Sequence, residues 1–330
     1  MITLIAEIGS VHDGSFGNAC KLIEAAAESG ATAVKFQTHI AEAETLPNAP
    51  MPSYFKGEPR MAYFRRTAFT EPQYRELVRV ADAAGVQFLS SPFSLEAVEL
   101  LERIGMDIYK IPSGEVSNLP LLERIAATGR PVLLSSGMSD WRELDAAVAV
   151  LRAGGPLTVM QCSSVYPCPP GQVGLNVMQE MRARYGLPVG FSDHTLGPAA
   201  AIAAAALGAS VIEKHFTFSR LMYGSDARHS MEPDEFRALA QALRDVAAML
   251  GGAVDKTDLS AYREMKTIFE KSIVLAHGLP AGAALRKEDL AFKKPGDGIP
   301  AAEYARVLGR TLAGALPKDH QLAWSDLREP

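Results

Sequence analysis

Short apolar runs alternate along most of the chain with longer stretches whose apolar residues recur at helical spacing. The apolar runs predict strands at Thr3–Glu7, Ala33–Gln37, Gln87–Ser90, Ile108–Ile111, Pro131–Ser135, Leu157–Gln161, Pro188–Ser192 and Val211–His215. The stretches between them predict helices, most of which end in a glycine directly before the next strand, as helix C-termini commonly do. These helices are an apolar face Ala19–Ala27 that ends at Gly30, then Glu71–Gly85, Leu95–Gly105, Asn118–Gly129, Arg142–Gly154, Leu175–Gly186, Pro198–Gly208 and Pro233–Gly251.

Strand–helix alternation of this kind predicts parallel βα units, and eight such units favour an α/β fold of the closed (β/α)8, or TIM, barrel type. The rival is an open, doubly wound sheet. No G-x-G-x-x-G motif follows the first predicted strand, which weakens the dinucleotide-binding form of that rival without excluding an open sheet.

The alternation of predicted strands and helices stops near Gly251, and the pattern of apolar residues changes. A helical stretch around Ala261–Glu270 is followed by short strand-like pieces separated by Gly and Pro turns. We therefore predict a barrel at residues 1–255, a linker at 256–271 and a small β-rich domain at 272–330. A domain of that size is near the lower limit for an independent core.

Composition narrows the class of protein. The net charge of −5 disfavours a nucleic-acid partner. Cys20, Cys162 and Cys168 lack the spacing of metal ligands and predict reduced thiols in a cytoplasmic protein. The N-terminus has no basic segment before an apolar one, and the Ala-rich run 199–212 is too short to span a bilayer, so we expect neither a secretory leader nor a membrane span.

Polar side chains follow every predicted strand. In a (β/α)8 barrel the chemistry lies at the C-terminal ends of the strands. The residues there are Glu7, Lys35, Gln37, Ser91, Lys110, Ser113, Glu115, Ser135, Ser136, Ser163, Ser164, Tyr166, Asp193, His194, Glu213 and His215. A full ring of ionisable and hydroxyl groups at one mouth indicates a polar ligand.

Lys35 and Lys110 supply two positive charges to this mouth, with serines at neighbouring strand ends and a Pro-Ser-Gly turn at 112–114 that can offer backbone N–H groups. The pattern favours a phosphate or carboxylate site. Two alternatives stay open: a buried ion pair with a neighbouring glutamate, and a lysine that forms a Schiff base.

His194 and His215 end consecutive strands, which lie about 5 Å apart in a sheet. Glu213 faces the same side of its strand as His215. Such a set suits a divalent transition metal, although a histidine satisfied by a carboxylate is the simpler alternative. His12 and His39 lie in loops at the same mouth, and spacing alone does not exclude them as ligands.

The segment from His39 to Thr70 is long for a loop of a compact domain and carries Tyr54, Phe55, Tyr63, Phe64, Arg65 and Arg66. Such a loop either covers the site as a functional lid or packs on the barrel surface without a functional role.

The polar positions fall within motifs that resemble those of the sialic acid synthase family, the NeuB-type nonulosonate synthases. The motifs are AEIGSVHDG (6–14), AVKFQT (33–38), SSPF (90–93), YKIPSGE (109–115), LLSSGM (133–138), QCSSVYPCP (161–169), GFSDHT (190–195) and EKHFT (213–217). The stretch Ile273–Ile299 resembles the family's C-terminal antifreeze-like (SAF) domain. The resemblance covers nearly the whole chain.

The resemblance implies a (β/α)8 barrel with a SAF domain, in a domain-swapped homodimer where each small domain caps the partner's barrel. It implies a transferase of polysaccharide biosynthesis that condenses phosphoenolpyruvate, an N-acyl amino sugar and water. The leading acceptor is N-acetylmannosamine, which gives N-acetylneuraminate and phosphate. The close alternative is a 6-deoxy diacetamido hexose, which gives legionaminate or pseudaminate. A Schiff-base aldolase and a non-catalytic sugar-binding protein are more distant alternatives.

By position in the motifs, the resemblance assigns site residues. The metal ligands are His194 and His215, for a divalent ion that is most often Mn²⁺, with Mg²⁺ or Co²⁺ as alternatives. The phosphoenolpyruvate site is Lys35, Ser91, Lys110, Ser113, Ser135 and Ser164. The sugar site is Glu7, Glu115, Tyr166 and Asp226, with Lys294 from the partner subunit. Glu7, Glu115 and Glu213 are the candidate catalytic carboxylates, and which of them acts as base stays open.

The chain departs from the family pattern at a few positions. Val11 stands where the family has Asn, and Ser163-Ser164 where it often has Thr-Asn. Lys294 stands where the SAF domain usually offers an Arg to the sugar's N-acyl group, and a Lys is a point donor without the planar fork of Arg. The segment Leu221–Tyr223 can also reshape the sugar pocket.

Overall fold

The computed structural model describes residues 2–50 and 57–329. The chain divides into two compact units, Met1–Gly252 and Ala253–Pro330. The boundaries that the sequence suggests around a separate linker at 256–271 stay predictions.

The first unit contains a closed barrel of parallel strands in sequence order. The strands are β1 (Thr3–Gly9), β2 (Ala33–Thr38), β3 (Gln87–Pro92), β4 (Tyr109–Ile111), β5 (Val132–Ser135), β6 (Leu157–Cys162), β7 (Val189–Asp193) and β8 (Val211–His215). Strand β8 pairs with β1 from Thr3↔Val211 to Glu7↔His215, which closes the sheet. The predicted (β/α)8 barrel is confirmed, and the open-sheet alternative is wrong.

Helices connect the strands and surround the barrel. They are α1 (Phe16–Glu28), α2 (Ala41–Glu44), α3 (Arg60–Thr67), α4 (Glu71–Ala83), α5 (Leu95–Arg103), α6 (Leu119–Ala126), α7 (Trp141–Arg152), α8 (Leu175–Tyr185), α9 (Ala199–Ala206) and α10 (Pro233–Gly251). Side-chain caps fix several starts: Ser15 accepts from the N–H of Asn18, and Asp140 forms a capping box with Glu143. The helices α2 and α3, both within the segment 39–70, were not predicted from the sequence. No helix in the described ranges combines the length and apolar character needed to cross a bilayer.

The inside of the barrel is filled at its lower level by apolar side chains. This apolar plug consists of Ile5, Ala33, Leu89, Leu133, Met160 and Val211, all buried. A side chain at Gly190 would meet Met160 Cγ at 3.0 Å, so the glycine leaves room for that methionine. The polar residues of the barrel interior lie directly above this apolar plug.

The second unit has its own small core, formed by Ile273, Leu275, Leu285, Leu290, Ile299, Val307, Leu312, Leu322 and Leu327. Its elements are α11 (Arg263–Phe269), β9 (Ser272–Leu275), β10 (Leu290–Lys293), α12 (Tyr304–Val307), β11 (Thr311–Leu312) and β12 (Leu327–Arg328). Two similar segments, LPAGAAL (279–285) and LPKDHQL (316–322), pair through Leu279 and Leu316. Each turns through a positive φ at the same position, +81° at Gly282 and +66° at Asp319. The small unit is thus built on a short internal repeat.

Candidate active site

A layer of polar side chains stands directly above the apolar plug. Alternate residues of a strand face the same side, so the residue two positions after each plug residue also points into the barrel. This polar layer consists of Glu7, Lys35, Ser91, Lys110, Ser135, Cys162, Ser192 and Glu213, which the structure buries almost completely. The strand register therefore concentrates four charged groups in the barrel interior at the level where the C-terminal mouth begins.

Glu213 is the centre of the charge network in the polar layer. Its Oε1 accepts hydrogen bonds from Lys110 Nζ and Ser192 Oγ, both at 3.1 Å, and lies 3.9 Å from Lys35 Nζ. Lys35 Nζ lies 2.8 Å from Glu7 Oε2 in a buried ion pair. The ion-pair alternative for the two lysines is therefore present in the structure, and the network is electrically balanced before any ligand enters.

The ion pairs determine which side chains of the network are ionised. Burial by itself raises the pKa of Glu213, but the ammonium groups of Lys110 and Lys35 overcome it and lower that pKa to about 2. Burial likewise opposes the charge on Lys35, yet Glu213 and Glu7 outweigh it and the pKa of Lys35 is raised. Lys35 is held as an ammonium ion, which opposes a Schiff base because that reaction needs a neutral amine.

The serines predicted for an anion site lie around the lysines. Lys35 Nζ donates to Ser91 Oγ at 3.3 Å, and Ser164 Oγ donates to Ser113 Oγ at 3.0 Å. Ser113 and Ser135 line the cavity, whereas Ser91 and Ser164 do not. The hydroxyl of Ser135 is buried without a hydrogen-bond partner among the described residues, so it is available to a ligand.

A glycine after β5 makes this arrangement possible. Gly137 has a φ of +39°, and a Cβ there would lie 1.8 Å from Ser113 Cβ and 2.8 Å from Ser164 Oγ. The two serines can approach each other only because the backbone beside them carries no side chain.

The two predicted metal ligands lie side by side, with ring centroids 5.5 Å apart. His194 Nδ1 donates to the carbonyl of Ser163 at 2.6 Å, which leaves Nε2 as an acceptor 3.0 Å from the hydroxyl of Tyr166. Nδ1 of His215 is buried and has no partner among the described residues. Burial lowers the pKa of both imidazoles, which are therefore neutral, the form that binds metal ions.

These features fit a divalent metal ion: one imidazole is oriented by a backbone carbonyl, as metal-binding histidines usually are, and the other has an unsatisfied nitrogen. Across residues 2–50 and 57–329, no group of three or more His, Cys, Asp or Glu side chains has the arrangement of a complete metal site. An ion held by His194 and His215 would take its remaining ligands from water or substrate, as an open catalytic site does.

The loop that carries His194 is fixed from outside the barrel. Lys214 alternates with the inward-facing Glu213 and His215, and its ammonium lies 2.8 Å from Asp193 Oδ2 and 3.0 Å from the carbonyl of Gly197. Asp193 Oδ1 accepts the N–H of Thr195 at 2.8 Å. This buried pair fixes the turn after β7 and with it the direction of His194.

Of the other loop histidines left open as ligands, His12 does not line the cavity. It packs on Phe69 with centroids 4.5 Å apart, and its Nδ1 accepts the N–H of Gly14 at 3.1 Å. Burial lowers its pKa to about 4. His39 does line the cavity, but hydrogen bonds engage both of its ring nitrogens.

The residues predicted to bind the sugar lie mostly at the same mouth. Glu7, Tyr166 and Asp226 line the cavity. Gly9 allows Asp226 to approach, since a Cβ there would lie 2.9 Å from Asp226 Oδ2. Glu115 is half-buried outside the lining and accepts from Asn118 Nδ2 at 2.8 Å; burial raises its pKa.

Lys294 belongs to the second unit. Its side chain is exposed there, and its ammonium lies 4.7 Å from the ring centroid of Phe269. Its assignment to a sugar site of the partner subunit stays a prediction.

The segment 39–70 forms part of the cavity wall. The cavity has a volume of about 210 Å³ and opens to solvent, and α3 contributes Arg60, Tyr63 and Phe64 to its lining. Arg60 lies over the Phe64 ring, 4.9 Å from its centroid. The segment is therefore part of the site, while Tyr54 and Phe55, also noted in the sequence, lie outside the described residues.

Several residues of the cavity lining were not among the candidate site residues predicted from the sequence: Ser10, Arg60, Phe93, Cys162, Ser192 and Ser225. The period of two along the strands was a usable signal for Cys162 and Ser192, because each follows an inward-facing residue by two positions. Burial raises the pKa of the Cys162 thiol, so this group is a wall residue and not a thiolate nucleophile. No sequence signal marks Arg60, which reaches the mouth only through the path of α3.

Fold and site together define a (β/α)8-barrel protein with a charge-lined cavity at the C-terminal mouth of the barrel and two adjacent histidines in its wall. The chain belongs to the NeuB family, whose model matches residues 22–255, and a SAF domain matches residues 270–328. The family resemblance and the SAF domain inferred from the sequence motifs are confirmed.

Relatives and a solved structure agree with this membership. The N,N'-diacetyllegionaminic acid synthase of Campylobacter jejuni is 37% identical over 316 residues, which cover 93% of this chain and 94% of that protein. The human N-acetylneuraminate-9-phosphate synthase is 32% identical over 324 residues, 96% of this chain and 90% of that protein. The crystal structure of the N-acetylneuraminic acid (sialic acid) synthetase from Leptospira borgpetersenii has a TM-score of 0.70 at 30% identity, covering 80% of this chain and 90% of that one.

Proposed function

We propose that this chain is a nonulosonate synthase that condenses phosphoenolpyruvate with the open-chain aldehyde of an N-acyl amino sugar. Carbon 3 of phosphoenolpyruvate bonds to the aldehyde carbon, water adds at carbon 2, and phosphate leaves by cleavage of the bond between carbon 2 and oxygen. The products are a nine-carbon sugar acid and inorganic phosphate. The observation that carries the proposal is the polar layer, where Lys35 and Lys110 share Glu213 beside the unpartnered hydroxyl of Ser135.

The lysines and serines of the site bind phosphoenolpyruvate in this proposal. Lys110 and Lys35 neutralise the phosphate and carboxylate of phosphoenolpyruvate, with Ser113 and Ser135 as hydroxyl donors. Ser91 accepts a hydrogen bond from Lys35 and Ser164 donates one to Ser113, so these two serines position Lys35 and Ser113. When the substrate anion binds, Lys110 exchanges its ion pair with Glu213 for one with the anion. Before that, the ion pairs with glutamate compensate the charges of the two buried lysines.

The carboxylates take different roles because their environments differ. Glu213, with a pKa of about 2, stays ionised and acts as an acceptor or as fixed negative charge. Burial raises the pKa of Glu115, which favours its protonated form and makes it a candidate proton donor, although its side chain lies outside the cavity lining. Glu7, Tyr166 and Asp226 orient the sugar aldehyde above the polar layer. When bound by His194 and His215, a divalent ion such as Mn²⁺ supplies Lewis-acid polarisation of the aldehyde oxygen.

The proposed acceptor is N-acetylmannosamine, which gives N-acetylneuraminate. A second candidate is a 6-deoxy diacetamido hexose, favoured by the 37% identity to a N,N'-diacetyllegionaminic acid synthase. Both sugars present an N-acyl group and an aldehyde to the same polar mouth, and the polar layer suits either of them.

The test is phosphate release from phosphoenolpyruvate. We expect release only when an N-acyl amino sugar and Mn²⁺ are both present, and none with either alone. Absence of release with every acceptor of this class contradicts the proposal. If borohydride instead traps a pyruvate adduct on Lys35 or Lys110, the Schiff-base alternative replaces it.

We also propose a homodimer in which each small unit covers the partner's barrel mouth. Exposed apolar side chains on the loops after β5, β7 and β8 support this proposal: Met138 is 70% exposed, Leu196 54% and Leu221 96%. An open apolar groove near Leu196, also lined by Val165 and Leu175, extends the surface. Exposed apolar side chains on several loops at one mouth favour an interaction site there.

In that arrangement Lys294 reaches the partner's sugar. We expect Lys294→Ala to raise the KM for the acceptor about tenfold, the loss of one charged hydrogen bond of roughly 1.5 kcal/mol. The KM for phosphoenolpyruvate should not change. Steady-state kinetics with each substrate varied in turn measure the two KM values. The control variant is Lys287→Ala, which removes another lysine of the same unit. An unchanged acceptor KM contradicts the capping role.

A further inference from the structure

A series of buried, hydrogen-bonded side chains connects the segment 39–70 to the polar layer. Glu7 Oε1 accepts from Gln37 Nε2 at 2.8 Å, and Gln37 Oε1 lies 3.1 Å from His39 Nε2. His39 Nδ1 lies 2.9 Å from both carboxylate oxygens of Glu44, which ends α2. The side chains of His39 and Glu44 are only 4% and 5% exposed.

The hydrogen bonds fix the orientation of each group in this series. A carboxylate only accepts, so Gln37 turns its NH₂ toward Glu7 and its carbonyl oxygen toward His39. That oxygen also only accepts, which requires a proton on His39 Nε2. The Glu44 carboxylate in turn requires a proton on Nδ1. Both nitrogens of His39 therefore donate, and Glu44 balances the charge of the imidazolium.

Aromatic packing holds the imidazole ring in that position. His39 is stacked between Phe64 and Phe93, with centroid distances of 3.9 and 4.2 Å and interplanar angles of 16° and 21°. Arg60 lies over Phe64 as well. The ring cannot rotate without breaking this stack, so the hydrogen bond to Gln37 has a fixed direction.

We propose that His39 is a positioning residue: with Glu44 as its counter-ion it orients the Gln37 amide, which holds the Glu7 carboxylate in the geometry for turnover. The inference rests on the proposed function, because it assigns Glu7 to the reacting sugar. The same hydrogen bonds attach α2 to the polar layer, and the stacking of His39 on Phe64 connects α3 to them.

His39→Phe retains the aromatic stack and removes both hydrogen bonds. We expect kcat to fall about a hundredfold, the loss that a misplacement of 1 Å can cause. The variant should fold. His12→Phe is the matched control, since His12 is also buried among aromatic rings but lies outside the cavity lining. It should keep the wild-type kcat.

A double-mutant cycle with Gln37→Met separates positioning from a merely structural role. If His39 acts through Gln37, adding His39→Phe to Gln37→Met costs little further activity. Effects that multiply, or a wild-type kcat in His39→Phe, overturn the proposal.

An activity-independent measurement separates this inference from the proposed function. In ¹⁵N-histidine NMR of the wild-type protein, the signal that disappears in His39→Phe should show both ring nitrogens protonated, and Glu44→Gln should alter it. A neutral imidazole pattern overturns the inference even in an active enzyme. Absence of turnover in the wild type, with the protonated pattern intact, contradicts the proposed function instead.

Discussion

His215→Ala is expected to abolish Mn²⁺ binding and to lower turnover by more than about a hundredfold, because loss of an outer partner of a metal ligand alone typically costs 10–100-fold. His215 is one of the two imidazoles predicted to hold the ion, and its Nδ1 has no competing partner among the described residues. Its removal leaves His194 with the Tyr166 hydroxyl as its nearest polar neighbour at the cavity. Metal content of the purified variant and its turnover at saturating Mn²⁺ measure the effect.

The control for this variant is His12→Phe. His12 is also buried, but it does not line the cavity and its Nδ1 accepts the N–H of Gly14. It should retain both metal and activity, while circular dichroism shows that both variants fold. Full activity of His215→Ala in a metal-free buffer would show that the metal assignment is wrong.

Lys110→Met is expected to lower kcat/KM for phosphoenolpyruvate by about 10²–10³-fold, the usual cost of removing one donor aimed at developing negative charge. The change also leaves Glu213 buried with Ser192 and a distant Lys35, 3.9 Å away. Breaking a buried ion pair in this way costs about 3–5 kcal/mol of unfolding free energy. Urea unfolding and steady-state kinetics should therefore both change.

The double variant Lys110→Met/Glu213→Gln separates these effects. A neutral amide no longer needs the ammonium, so most of the lost unfolding free energy should return. Activity should not return, because the cation for the substrate is still missing. If activity recovers together with stability, Lys110 serves only the fold and the anion site is wrongly assigned.

The strand positions were predictable because the barrel imposes two regular patterns on the sequence. Buried parallel strands read as short apolar runs, and Gly30, Gly85 and Gly105 adopt the positive φ that ends a helix before a strand. The charged groups at the mouth followed from the same rule, since Lys35 and Glu213 come at the ends of such runs.

The interior of the site was less predictable, because strand ends do not reveal which side chain faces inward. Ser136 and Asp193 stand at strand ends, but Ser136 bonds to Gln161 and Asp193 to Lys214. The apolar plug resolves this point: counting two residues from Met160 gives Cys162. The role of His39 depends on Glu44, Phe64 and Phe93, which no local sequence pattern joins.

The central claim is that phosphoenolpyruvate and an amino sugar become one nine-carbon acid with cleavage between carbon and oxygen. The most direct test supplies phosphoenolpyruvate labelled with ¹⁸O in the bridging oxygen, Mn²⁺, and a panel of N-acetylmannosamine and 6-deoxy diacetamido hexoses, with mass detection of the products. We expect a nine-carbon sugar acid from at least one acceptor, with the ¹⁸O in the released phosphate. No nine-carbon acid from any acceptor, or a label that stays with the carbon product, would contradict it.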